Sequence, residues 1–131
     1  MTTWQPAPVL YPDVEMLLCD RTRELLTDQP DLQVGRKVPM SWNRAIMWNR
    51  NGGTQDPPFD TAAVMCRVFA PNDMDVTDLV ALLLARLPSI IDGAPVLSMT
   101  VTGGPTDLGI EDSPMRQILF DMKVRGSNYE T

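Results

Sequence analysis

The chain has 131 residues, of which 44% are hydrophobic, and its 17 acidic side chains outnumber 11 basic ones to give a net charge of −6. That length fits one domain with a core of its own, and an acidic chain with scattered basic residues argues against a role that grips phosphates. The longest apolar run, 79–85, is too short to cross a bilayer, and the first residues show neither a charged n-region nor an apolar h-region, so the chain is expected to fold in a cytosol and not in a membrane.

The first stretch, 1–12, holds Pro6, Pro8 and Pro12 and reads as an extended N-terminal arm. Pro12, Asp13 and Glu15 then mark a helix start, with negative charge at the positive end of the helix dipole. Val14, Leu17, Leu18 and Leu25 recur at helical spacing, which predicts a helix over 13–27. A short strand over 32–38 should follow, then one over 44–50 with Ile46 and Trp48 on one side and Ala45 and Met47 on the other. A third strand over 61–70 alternates Val64, Cys66 and Val68 against Met65, Arg67 and Phe69. Between the last two, Gly52-Gly53 and Pro57-Pro58 predict a loop over 50–60, since glycine supplies positive φ and proline blocks ladder bonds.

Asp75 and Asp78 open a second helix whose apolar stripe is Val76, Leu79, Val80, Leu83, Leu84 and Leu87, and Pro88 should end it. A strand over 96–102 is expected to stop at Gly103-Gly104-Pro105, with a loop from there to Met115. The last strand, 117–125, alternates Ile118, Phe120, Met122 and Val124 inward with Leu119, Asp121, Lys123 and Arg125 outward. The expected fold is α+β: one domain over 13–126 in the order α-β-β-β-α-β-β, a mostly antiparallel sheet with both helices on one face, and a C-terminal tail over 127–131.

The residue inventory leaves little room for catalysis. Without histidine, Ser-His-Asp and Cys-His arrangements are excluded, and neither glycine pair fits a dinucleotide or phosphate loop. Cys19 and Cys66 stand 47 positions apart and are expected to be inert, buried thiols instead of metal ligands. The carboxylate pairs Asp73 with Asp75 and Glu111 with Asp112 read as cap and loop charges. No enzyme activity, cofactor or metal is expected.

Contact surfaces are better represented. The outer side of the second helix presents Ala81, Leu82 and Ala85, where a helix facing only water would more often carry charges. Arg21 interrupts the stripe of the first helix and either snorkels or pairs with an acid of a neighbouring chain. Trp42, Trp48, Met65 and Phe69 are of types enriched at interfaces and need a cover on the sheet face away from the helices. Together these features favour an oligomer.

Several short stretches then carry a resemblance. They are Tyr11-Pro12-Asp13-Val14-Glu15, Val34-Gly35-Arg36-Lys37-Val38-Pro39, Asn51-Gly52-Gly53 and Arg67-Val68-Phe69-Ala70. Gly103-Gly104-Pro105, Asp112-Ser113-Pro114-Met115-Arg116 and Lys123-Val124-Arg125-Gly126 complete the series. In this order and spacing the chain resembles the tail terminator (tail completion) proteins of long-tailed bacteriophages with non-contractile tails. The resemblance implies a structural virion protein, a homo-oligomeric ring of six on the head-proximal end of the tail tube. Such a ring stops polymerisation of the tube protein, docks the head connector or stopper protein, and lets the genome pass through its lumen without specific binding. Arg50, Gly52, Gly53, Phe59, Gly104, Pro105 and Met115 join Arg21, Trp42, Trp48, Met65, Phe69, Ala81, Leu82 and Ala85 as expected contact residues. The alternatives are another head-tail joining protein such as a stopper, a ligand-binding regulatory domain, which would need a pocket with convergent polar groups, or an RNA-binding sheet, which would need exposed aromatic and basic residues.

Overall fold

The computed structural model describes residues 9–37, 43–109 and 114–128, with Asn128 through its backbone alone. The elements run β1 (Val9–Leu10), α1 (Val14–Leu25), β2 (Leu32–Gly35), β3 (Arg44–Asp56), β4 (Phe59–Phe69), α2 (Asp73–Ile90), β5 (Val96–Asp107), β6 (Met115–Arg125) and β7 (Ser127–Asn128). Five strands form one sheet in the order β2-β3-β4-β6-β5. Only β2 and β3 pair in parallel, and the other neighbours are antiparallel. The two-residue strands β1 and β7 pair with each other as a small antiparallel ribbon. Two helices beside a mostly antiparallel sheet make this a single small α+β domain.

Local chemistry places both helix starts. Asp13 caps α1 by accepting the Met16 N–H at 3.1 Å, and Asn72 caps α2 by accepting the Asp75 N–H at 2.8 Å. Acidic residues fill each first turn: Glu15 in α1, Asp73 and Asp75 in α2. α2 does not stop at Pro88 but runs on to Ile90. Proline in the last turn forfeits one N–H bond, and the Ile91 N–H still closes the end on the Leu87 carbonyl at 3.0 Å.

The core forms where the alternation of the strands meets the stripes of the helices. Ala62, Val64, Cys66 and Val68 of β4 and Ile118, Phe120, Met122 and Val124 of β6 are buried in one cluster with Val14, Leu18 and Cys19 of α1 and Val76, Leu79, Val80 and Leu83 of α2. Trp48 lies in the middle, its ring centroid 5.7 Å from that of Phe120. Its indole N–H donates to the Thr22 hydroxyl at 3.0 Å, so the one hydroxyl among the buried residues of α1 satisfies the one polar atom of the tryptophan side chain. Trp48 therefore does not contribute to an outer surface.

Two expected loop boundaries are overturned. β3 continues to Asp56 instead of ending at Arg50, and Pro57-Pro58 is the two-residue connection of a hairpin in which Asp56 faces Phe59. The glycines fit into the strand as a bulge between Arg50 and Gly53. Gly53 has φ +113°, and a Cβ there would lie 2.1 Å from the Thr61 carbonyl oxygen. β5 likewise runs through Gly103-Gly104-Pro105 to Asp107, with register shifts on either side of Gly103. Because β5 is an edge strand, a proline in it can turn its missing donor toward the unpaired side.

Candidate functional site

The sheet face away from the helices gathers a set of side chains in register. Its rungs are Ala45–Phe69–Met115, Met47–Arg67–Gln117 and Asn49–Met65–Leu119, read across β3, β4 and β6. Met65, Phe69, Met115 and Leu119 are half-exposed, whereas Ala45 and Met47 are buried. Three expected contact residues, Met65, Phe69 and Met115, thus come together. Leu119 belongs with them and went unselected, although its outward place in the alternation of β6 was the signal that could have found it. Trp42 lies outside the described residues.

Arg67 lies at the centre of this face. It is half-buried, and its Nε–H donates to the Gln117 amide oxygen at 3.1 Å. Farther along the same face the Lys123 ammonium stands 4.4 Å over the Phe59 ring. Phe59 is therefore engaged within its own chain.

The glycine-rich part of the hairpin is bulged strand and not the loop expected there. Arg50 forms a bidentate pair with Asp60, at 2.6 and 2.7 Å, and the Asp60 side chain is fully buried. Hydrogen bonding to Asp60 raises the pKa of Arg50, so the guanidinium stays charged at any relevant pH. The Arg50 Nε–H also donates to the Gly52 carbonyl at 3.0 Å, and its backbone N–H donates to the Glu15 carboxylate at 2.7 Å. These bonds tie the hairpin to the start of α1 around a shallow depression of about 400 Å³ lined by Pro12, Asp13, Glu15, Arg50 and Gly52. Gly104 plays the counterpart role in β5: with φ +81°, a Cβ there would lie 2.3 Å from the Gln117 carbonyl oxygen.

Arg21 is also an internal clamp. Its Nη1 donates to the carbonyls of Ile90 and Asp92, both at 3.0 Å, and its Nη2 to Ala94 at 3.1 Å, closing the carbonyl end of α2 and the turn into β5. On α2, Ala81 and Ala85 are exposed as expected of an outer surface, but Leu82 is half-buried and packs against the core. At the other end of α2, Arg116 pairs with Asp73 and, at 3.2 Å, with Asp107, beside a depression of about 340 Å³.

Both thiols are buried, and that burial pushes the pKa of Cys19 and Cys66 up, leaving them protonated and unreactive. Among the described residues no three His, Cys, Asp or Glu side chains converge on a possible metal position, and no helix is long and apolar enough to cross a membrane. The depressions just described are lined by residues already committed to internal ion pairs. What the arrangement offers is contact: a sheet face carrying half-exposed methionines, a phenylalanine and a leucine around a guanidinium. No protein-family model matches the chain, and a search of curated proteins returns no match.

Proposed function

We propose that this protein is a tail terminator: a structural subunit of a six-membered ring that caps the head-proximal end of a non-contractile phage tail tube. The observation that carries the proposal is the sheet face of Met65, Phe69, Met115 and Leu119. The core is closed on the opposite side of the sheet, which leaves the half-exposed Met65, Met115 and Leu119 for contacts between chains. The ordered stretches that resemble the terminator family support the same reading, and so does the net charge of −6, because an acidic ring repels the DNA that must slide through it. The ring stops addition of tube subunits and offers its far surface to the head connector, with no catalysis and no bound cofactor.

Electron microscopy of tails assembled with and without the protein tests this. Omitting it yields overlong tails that fail to join heads. Tails of normal length without it contradict the proposal.

A further inference from the structure

We infer that the sheet face around Arg67 is the docking site for helix α2 of a neighbouring copy, with Asp78 of that copy supplying the carboxylate that Arg67 lacks among the described residues of its own chain. The inference rests on the self-association in the proposed ring and specifies which surfaces meet.

The first reason is electrostatic. Arg67 is half-buried among Met47, Met65, Phe69 and Leu119, and its only polar partner among the described residues is the neutral amide of Gln117. A guanidinium partly removed from water without a counter-ion is costly, and a carboxylate brought in by a partner relieves that cost while gaining bidentate geometry. Other arginines of the chain have carboxylate partners: Arg23, Arg36, Arg44, Arg50, Arg86 and Arg116.

The second reason is complementarity. Among the described residues, the carboxylates without a hydrogen bond or ion pair are Glu24, Asp31, Asp56, Asp78, Asp92 and Asp121. Asp121 is on the same sheet face as Arg67 and cannot dock on it, while Asp31, Asp56 and Asp92 stand at turns. Glu24 lies on α1 between Asp20 and Asp28, in a charged setting. Asp78 alone has apolar neighbours at helical spacing: Met74, which is 76% exposed, Ala81 and Leu82. An acid framed by apolar side chains on a helix thus matches a cation framed by apolar side chains on a sheet. The alanines leave room for the half-exposed Met65 and Leu119 to approach.

The third reason is geometric. Cys66 and Val68, on either side of Arg67, point into the core toward the helices, so Arg67 faces the opposite way. Asp78 is exposed on α2, away from the buried Val76, Leu79, Val80 and Leu83. The two surfaces are therefore on opposite sides of the subunit. A contact between them leaves each copy with one surface still open, which makes the association head-to-tail and closes only as a ring.

Sedimentation of the purified chain at increasing concentration tests the contact in four forms: wild type, Arg67→Asp, Asp78→Arg, and the two substitutions combined. Each single reversal should weaken self-association by about a hundredfold, as expected when one charge of an interfacial pair loses its partner. The combined swap should restore it. Thermal melting, with Arg67→Met as a second variant at that site, separates loss of contact from loss of fold. Wild type that stays monomeric throughout, single variants that associate normally, or a combined variant no better than the singles would each overturn the docking. Tails capped normally by single variants that still form rings would overturn the docking and leave the terminator function standing. Rescue by the swap in a chain that leaves tail length unchanged would do the reverse.

Discussion

Thr22 shows how one hydroxyl can hold a core in register. Its oxygen is the acceptor for the Trp48 indole N–H at 3.0 Å, in a site where both side chains are fully buried. Thr22→Val keeps the shape and removes the acceptor, which should cost roughly 1–3 kcal/mol in denaturant unfolding. The same substitution made in a Trp48→Phe background should cost much less, because no buried donor is then stranded. Asp28 acts at the surface instead. Its bidentate bonds to Arg86, at 2.7 and 2.9 Å, hold its pKa down at about 2. A carboxyl with a lowered folded-state pKa stabilises fully above its unfolded value of about 4 and loses that contribution as pH falls toward the folded value. The stability gap between wild type and Asp28→Asn should therefore be constant near neutrality and close between about pH 4 and pH 2. Added salt should narrow it at every pH, since the pair is exposed.

At the scale of elements, the bulges decide what the strands tolerate. Gly103 and Gly104 are neighbours, yet a Cβ on Gly103 would meet only Leu119 side-chain atoms, the nearest at 3.4 Å, while one on Gly104 would meet the Gln117 backbone. Gly104→Ala should destabilise by roughly 1–3 kcal/mol and Gly103→Ala by less, read from thermal melts of the two variants. α2, β4 and β6 were legible in the sequence, because Leu79, Val80 and Leu83, or Ile118, Phe120 and Met122, repeat at the period of their element. The outer halves of β3 and β5 were not. Gly52-Gly53 and Gly103-Gly104-Pro105 read as chain punctuation, whereas neighbouring strands accommodate them as bulges, a tertiary effect without a local signature. The same limit explains Arg21 and Arg50, whose partners are 69 and 10 positions away and come near only when the sheet forms. Of the expected contact set, Met65 and Phe69 were traceable because strand alternation alone puts them on the outer face, whereas Met115 came with the resemblance, from a stretch read as loop that is the start of β6.

The whole molecule is a two-sided object. One side of its sheet shares a buried cluster with residues of α1 and α2 around Trp48, and the other carries Arg67 beside half-exposed apolar side chains. Leu82 is a poor probe of the helix surface, since it also packs on the core, and Ala85→Asp is the cleaner one. Ala85 is exposed, so Ala85→Asp should change the melting temperature of the isolated subunit little while weakening its assembly. The most direct test of the terminator function is a reconstruction of the head-proximal end of the tail at a resolution that traces chains. Six copies of this protein in a closed ring on the last layer of tube subunits, sheet face of each toward α2 of the next, is the expected result. A tail end on which this chain is absent, or present as an isolated copy, would contradict it.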